Sequence, residues 1–240
     1  MKEKLYEIPV NDAFAVACEC PLCQMYNKLE QDAVAFTMGP SYMEDDIRAE
    51  TDELGFCAKH AEQVQAVGNS LGMALVLKTH FDKVISHMKQ QMEESQPRSR
   101  QKSLFKKSEK KADGIADYVH KLNASCYICN RIDTVFDRYV DTIYYLWKDD
   151  AGFREQFSQC NGFCTNHYGM LLEHADHVLH GAQLEEFTDT LNQLYITNME
   201  RVCDDLAWFI NKFDYKYADE PWNNAKDAIP RAMTKDNSIL

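Results

Sequence analysis

The chain has 240 residues, 45% of them hydrophobic, which is enough to bury one large core or two small ones and excludes a wholly disordered protein. Its 26 basic and 38 acidic residues give a formal charge of −12, so nucleic-acid binding by the whole surface is disfavoured. The longest clean apolar run, 71–77, is far shorter than the roughly 20 residues that cross a bilayer, and we expect no membrane segment.

The first nine residues mix charged and apolar side chains and contain no apolar core followed by a cleavage site. We therefore expect no signal peptide and a cytoplasmic protein. In that compartment cysteines stay reduced, and an odd count of nine at tight spacings favours metal or thiol chemistry over a disulfide framework.

The first half of the chain predicts a pair of short helices and then a long one. Residues 24–38 form the first helix, Gly39-Pro40 interrupts it, and residues 41–52 form a second helix running back. From His60 onward, apolar residues recur at steps of three and four, which predicts a long amphipathic helix. These apolar positions are Val64, Val67, Leu71, Leu75, Phe81, Ile85, Met88 and Met92.

Residues 96–111 have the composition of a linker, with a proline near the start and seven basic residues against one acidic residue. We expect a solvated tether between two domains. The alternative is a basic docking site for an acidic partner or RNA.

The second half repeats the first in outline. Residues 130–148 form an outward helix, 149–152 a turn and 153–159 a shorter return helix, and a second long amphipathic helix covers 184–213. No alternating strand pattern occurs, so the predicted fold is all-α.

Four cysteine and histidine motifs reveal an internal duplication. Cys20-x-x-Cys23 and Cys126-x-x-Cys129 are 106 residues apart, and two Gly-Phe-Cys-x-x-His motifs, ending at His60 and His167, are 107 apart. The predicted organisation is a first repeat at 1–95, the linker at 96–111, a second repeat at 112–215 and a tail at 216–240.

Three cysteines and one histidine form a closed tetrahedral set that is typical of structural zinc, since catalytic zinc usually keeps one position open. We predict two such sites, with ligands Cys20, Cys23, Cys57 and His60 in one, and Cys126, Cys129, Cys164 and His167 in the other. Matched spacings favour this pairing within each repeat, which would close two helical hairpins. Exchange of ligands between repeats, an iron–sulfur cluster, and plain buried cysteines are the alternatives.

Three cysteines, Cys18, Cys160 and Cys203, lie outside these sets. Cys18 and Cys160 are close in sequence to ligand cysteines, so a thiol switch that releases zinc is a hypothesis. His174, His177 and His180 occur at steps of three, and we interpret them as a polar helix face rather than as a third metal site.

Several short runs are spread over the chain: IPVNDAF at 8–14, ECPLC at 19–23, GPSYM at 39–43, the two Gly-Phe-Cys motifs, LGMAL at 71–75, LWK at 146–148 and the ending from Glu220 to Ala232. Together these runs resemble a bacterial domain-of-unknown-function family numbered 6062. The resemblance covers nearly the full length and transfers no catalytic residue. Members are often labelled as substrate-binding proteins of ABC transporters, which the expected absence of an export signal does not support.

The sequence contains no phosphate-binding loop, nucleophile elbow or paired carboxylates that would nominate an active site. The function predicted is a non-enzymatic zinc protein that binds a protein partner as an adaptor. A zinc-based redox sensor or redox-regulated chaperone is the second hypothesis, and a metal-dependent enzyme using the histidine cluster is the third.

Overall fold

The computed structural model describes residues 4–95 and 112–238, and these residues contain helices and turns but no strand. The all-α prediction is confirmed. The predicted basic linker at 96–111 lies outside the described residues. None of the described helices combines the length and the apolar composition needed to cross a bilayer.

In its described part, the first half of the chain contains five α-helices and one short 3₁₀ helix. Their bounds are α1 Lys4–Ala15, α2 Pro21–Met38, the 3₁₀ turn Pro40–Met43, α3 Asp45–Leu54, α4 Ala58–Ala66 and α5 Ser70–Ser95. The break at Gly39-Pro40 is confirmed. The single long helix expected from His60 onward is instead two helices, because Gly68 adopts a φ of +84° between them, which favours glycine.

The second half contains six α-helices among the described residues. Their bounds are α6 Ala112–Ala124, α7 Tyr127–Asp149, α8 Ala151–Gln159, α9 Thr165–Val178, α10 Ala182–Asn211 and α11 Ala228–Asn237. Asp150 caps α8, since its carboxylate accepts hydrogen bonds from the N–H groups of Gly152 and Phe153. The predicted outward helix, turn, return helix and second long helix are all present.

The chain forms two compact units, which are made of different stretches from the predicted repeats. Unit 1 consists of Met1–Leu29 with Thr134–Leu240, and unit 2 consists of Glu30–Asp133. The boundary between the units falls inside α2 and inside α7. The repeat and linker bounds proposed above stay a prediction.

Unit 1 is built around a cluster of buried aromatic rings. Phe157 lies at its centre, with ring centroids 5.1 Å from Trp147, 5.2 Å from Phe163 and 5.5 Å from both Phe14 and Phe187. Burial of such large rings stabilises a core by several kcal/mol per residue, on the order of 3 to 5 for truncation to alanine. Unit 1 thus has an extensive hydrophobic core of its own.

Unit 2 has a smaller core in which α3 packs along α5. Among its described residues, the buried apolar side chains include one aromatic ring, Tyr127, together with Val64, Val76, Ile128 and Ile132. Polar contacts complete the α3–α5 interface: Arg48 donates to the hydroxyl of Thr79 at 2.8 Å, and His80 Nδ1 lies 2.8 Å from the carbonyl of Asp52. With so little apolar burial, unit 2 depends on other interactions for stability.

Candidate metal centres

All four ligand motifs lie at helix N-termini. Cys20 and Cys126 directly precede α2 and α7, and their carbonyls accept the first helical hydrogen bonds, from Gln24 and Asn130. Cys57 and Cys164 occupy the N-cap positions of α4 and α9, with His60 and His167 in the first turn. The positive end of each helix dipole therefore points at thiol groups, which favours the thiolate form that binds metals.

A glycine with positive φ leads the chain into each Cys-x-x-His helix. Gly55 has a φ of +58° and Gly162 a φ of +75°. A Cβ at Gly162 would lie 2.9 Å from the carbonyl oxygen of Leu194, so neither the dihedral nor the space admits a larger residue. This explains why Gly precedes Phe-Cys in both copies.

The structure brings the eight predicted ligands together in two groups of four. Cluster A contains Cys20, Cys23, Cys164 and His167, and cluster B contains Cys57, His60, Cys126 and Cys129. In each cluster the four ligand atoms lie within 4.8 Å of one another. Cluster A lies wholly in unit 1 and cluster B wholly in unit 2.

The predicted pairing within each repeat is therefore wrong, and the exchanged pairing is correct. Each cluster takes its Cys-x-x-Cys motif from one repeat and its Cys-x-x-His motif from the other. Helix lengths supply the physical reason: α2 has 18 residues and spans about 27 Å, whereas α3 has 10 and spans about 15 Å. The return helix is too short to bring Cys57 back to the start of α2, and it packs on α5 instead.

In cluster A, the Nδ1 atom of His167 faces three sulfurs. It lies 3.5 Å from Cys20 Sγ, 3.3 Å from Cys23 Sγ and 3.2 Å from Cys164 Sγ, and the last two sulfurs are 3.6 Å apart. A zinc ion with bonds of about 2.0–2.3 Å would place tetrahedral ligands about 3.5–3.8 Å apart. The observed spacings are close to this geometry, and all four side chains are buried.

Cluster B repeats this arrangement with more solvent contact. His60 Nδ1 lies 3.3 Å from each of the three sulfurs, and Cys57 Sγ is 4.0 Å from Cys129 Sγ. Cys57 and Cys129 are partly exposed, whereas His60 and Cys126 are buried. The two clusters thus share a donor set but differ in their exposure to solvent.

All nine cysteines are free thiols, so neither cluster is a pair of cystines. In cluster A, hydrogen bonds from Cys20 and Cys23 hold the pKa of Cys164 far below its usual value. In cluster B, burial opposes ionisation of Cys126, but hydrogen bonds from His60 and from backbone N–H groups lower its pKa to about 6. In both clusters the neighbouring donors thus favour the thiolate form of one cysteine, and the thiolate is the form that binds a divalent ion.

Cluster B has a carboxylate behind its histidine. Glu30 Oε1 lies 3.0 Å from His60 Nε2, and Glu30 Oε2 accepts a hydrogen bond from Gln63 at 2.9 Å. Burial works against the charge of His60, but contacts with Cys126 and Glu30 raise its pKa. A carboxylate on the far nitrogen fixes the tautomer that presents Nδ1 to a metal.

Direct hydrogen bonds join the two ligand loops of cluster B. The hydroxyl of Ser125 donates to the carbonyl of Leu54 at 2.8 Å, and the N–H of Tyr127 donates to the carbonyl of Gly55 at 2.9 Å. These bonds attach the loop before Cys57 to the start of α7, and so hold the two motifs of the cluster together.

A lysine from the C-terminal helix performs this task in cluster A. The repeat offsets equate Ser125 with Glu19 and Leu54 with Asn161. The ammonium of Lys235 donates to the carbonyl of Glu19 at 2.7 Å and also to the carbonyl of Asn161. At the end of the same helix, the Ser238 hydroxyl lies 3.1 Å from Cys164 Sγ.

The sequence does not identify Glu30, Lys235 or Ser238 as neighbours of the clusters. None of them belongs to a spacing motif, and each reaches its cluster through tertiary packing. The periodic pattern of α2 and α11 carries no signal that separates Glu30 or Lys235 from any other charged helix residue.

The remaining cysteines and histidines do not extend the clusters. Burial raises the pKa of Cys160 to about 11 and also raises that of Cys18. Cys203 is exposed on α10. His174, His177 and His180 are all exposed, and no metal-binding group among the described residues contains them.

No curated protein and no solved structure matches the chain. A family model does match, over residues 1–240, and its members are described as a family of unknown function, DUF6062. Because this match covers the whole chain, the protein belongs to the DUF6062 family.

Proposed function

We propose that this protein is a structural zinc protein, in which two zinc ions stabilise a helical scaffold that binds another protein. The closed Cys₃His donor set carries the proposal. With three sulfurs and Nδ1 around one point, a tetrahedral ion has no position left for water or substrate. A role in holding helices together follows from that geometry more readily than a role in catalysis.

The ligand spacing also favours zinc over an iron–sulfur cluster. In a multinuclear cluster the ligands attach to different iron atoms, which separates the sulfurs more widely than ligands around a single ion. Here all four donor atoms of each cluster lie within 4.8 Å of one another. Zinc also agrees with a donor set of three cysteines and one histidine.

Exposed apolar side chains support the binding role. At and beyond the end of α10, Ile210, Phe213 and Tyr215 are 68%, 77% and 84% exposed. Adjacent exposed apolar side chains of this size mark interaction surfaces. We place the protein in the cytoplasm, because three-thiolate metal sites require reduced cysteines.

The first test is metal analysis of full-length protein purified without oxygen. Two zinc ions per chain are expected, and iron with visible absorbance would contradict the zinc assignment. The second test compares capture of cytoplasmic proteins by the wild-type chain and by an Ile210→Ser/Phe213→Ser variant. A partner retained by the wild type and lost from the variant is expected, and an identical set of captured proteins would contradict binding through this surface.

A redox sensor is the alternative, supported by the partly exposed sulfurs of Cys57 and Cys129 in cluster B. Peroxide separates the two functions. Rapid zinc release together with a gain of client binding would support the sensor, whereas retention of both ions would leave the structural role.

A further inference from the structure

Helix α5 is packed on one face, and among the described residues no other element covers its opposite face. Its inner face carries Thr79, hydrogen-bonded to Arg48 of α3, and His87, whose ring stacks on Tyr118 of α6 at 5.4 Å. At about 100° per residue, positions 74, 81, 85, 88 and 92 lie on the opposite side of the helix.

That opposite side is apolar, although it faces solvent. Leu71 is 66% exposed, Phe81 57%, and Ile85 and Met92 50% each. Sequence periodicity predicts burial for these residues, and the fold does not provide it. We call Leu71, Ala74, Phe81, Ile85, Met88 and Met92 the α5 seam.

The α5 seam has the spacing of a coiled coil. Positions 71, 74, 78, 81, 85, 88 and 92 alternate steps of three and four over three heptads, which is the a and d pattern of a two-helix interface. A Lys occupies position 78, where a parallel pair of identical helices would place two like charges face to face. A parallel homodimer is therefore disfavoured.

The charges beside the seam specify an antiparallel partner with the same sequence. Exposed Lys78, Asp82, Lys89 and Glu93 lie within or beside the seam with signs that alternate along the helix, and Lys78 already forms an ion pair with Asp82 of its own helix at 2.5 Å. When a second copy runs in the opposite direction with Asp82 beside its Lys89, Lys78 lies beside the Glu93 of that copy. One register therefore places each of these four charges beside an opposite charge of the second copy, in addition to the Lys78–Asp82 pair within each helix.

The same register also packs the four apolar seam residues between Phe81 and Met92. It places Phe81 against Met92 of the second copy and Ile85 against its Met88, with the symmetric pairs completing four layers. When a second copy of the helix runs in the opposite direction, its charges and apolar layers match those of the first copy. A face with this self-complementarity fits a two-fold symmetric dimer.

We propose that α5 is a homodimer interface, and that two copies of this protein associate through their α5 seams as an antiparallel coiled coil. This inference goes beyond the proposed function and does not depend on which metal is bound.

Charge inversion tests the proposal, with mass measured by sedimentation equilibrium on the full chain. A Lys78→Glu/Lys89→Asp variant makes the flank wholly acidic, and we expect its dissociation constant to rise at least about tenfold. Adding Asp82→Lys and Glu93→Lys restores alternation, so this fourfold variant is expected to dimerise with itself but not with the wild type. Lys121→Asp/Lys226→Glu is the matched control, because it changes the net charge equally away from the seam.

A zero-length cross-link tests the register. Within one helix Asp82 and Lys89 are about 10.5 Å apart along the axis, too far for a carbodiimide to join carboxylate and amine directly. In a mixture of ¹⁵N-labelled and unlabelled chains, a mixed-isotope Asp82–Lys89 peptide is expected. Helix content and metal content should match the wild type in every variant, since the substituted side chains are exposed.

Three results would overturn the proposal. These are a monomer at every accessible concentration, a dimer that the acidic variant leaves intact, and a dimer without the Asp82–Lys89 cross-link. If another segment of the same chain covers the seam, the protein will stay a monomer, which is the first of these three results.

Discussion

The ammonium of Lys235 donates a hydrogen bond to the backbone carbonyl of Glu19, 2.7 Å away and directly before the first ligand of cluster A. The side chain of Lys235 is 1% exposed, and Glu19 Oε2 lies 3.4 Å from its nitrogen. The Glu19 carboxylate also accepts a bond from Arg201 at 2.5 Å. The C-terminal helix is thus attached to a metal-ligand loop from the start of the chain.

Replacing Lys235 with Met should destabilise cluster A. The substitution keeps the aliphatic volume but leaves two buried carbonyls without their donor, which costs roughly 1–3 kcal/mol each. We expect a lower denaturant midpoint for unit 1 and weaker metal retention in cluster A. Lys226→Met, at an exposed position of the same terminal segment, is the control. Equal stability of the two variants would show that the hydrogen bonds donated by Lys235 are dispensable.

Substitution of one ligand should expose the cysteines of the other repeat. In Cys57→Ser, the ion of cluster B is lost, so Cys126 and Cys129 should become alkylated rapidly while Cys20 and Cys23 stay protected. Mass spectrometry after a short iodoacetamide pulse measures this directly. Labelling of Cys20 and Cys23 instead would support the pairing of ligands within each repeat. Cys203→Ser is the control, because it removes a thiol outside both clusters.

Chelators should remove the metal of cluster B before that of cluster A. Cys57 and Cys129 are partly exposed, whereas all four ligands of cluster A are buried. Zinc in small sites contributes on the order of 10–16 kcal/mol, and unit 2 has little apolar core to replace it. Hydrogen exchange during chelation should show early loss of protection in α3 and α4, and simultaneous opening of α8 and α9 would contradict the order.

Glu30→Gln should weaken metal binding in cluster B alone. The amide retains the size of Glu30 but removes the negative charge from the 3.0 Å contact with His60 Nε2. Loss of such a partner typically lowers metal affinity about 10- to 100-fold. Competition with a chromogenic chelator measures the change, and exposed Glu62→Gln is the control. If both variants bind equally tightly, the carboxylate has no influence on the site.

Gly162→Ala should destabilise unit 1, because it combines a φ of +75° with a Cβ only 2.9 Å from a backbone oxygen. We expect a loss of more than about 1 kcal/mol in the free energy of unfolding. Gly169→Ala is the matched control: it lies inside α9 with open space at its Cβ, and should stabilise by roughly 0.5–1 kcal/mol. Thermal unfolding of both variants measures whether their changes in stability have opposite signs.

Local signals in the sequence were sufficient for much of the architecture. The periodic apolar residues of α10, the Gly39-Pro40 break and the Asp150 turn are each determined by neighbours within one or two helical turns. The eight residues of the two candidate metal clusters were also identifiable, because Cys-x-x-Cys and Cys-x-x-His place their donors on one side of a helix start.

Burial along α5 was not predictable in the same way. Periodicity shows that Phe81 and Ile85 share a face, but it does not show whether another element covers that face. In this chain α3 and α6 pack on the other side, and the outcome depends on where those helices lie.

The sequence by itself determined the helical class and the eight cysteine and histidine residues of the candidate metal clusters, whereas only the tertiary structure decided which four belong together. Duplication is the reason: both repeats carry the same two motifs, so either Cys-x-x-Cys is chemically suited to either Cys-x-x-His. The choice depends on contacts between residues far apart in the chain, such as Ser125 with Leu54 and Lys235 with Glu19 and Asn161. No spacing rule encodes those contacts.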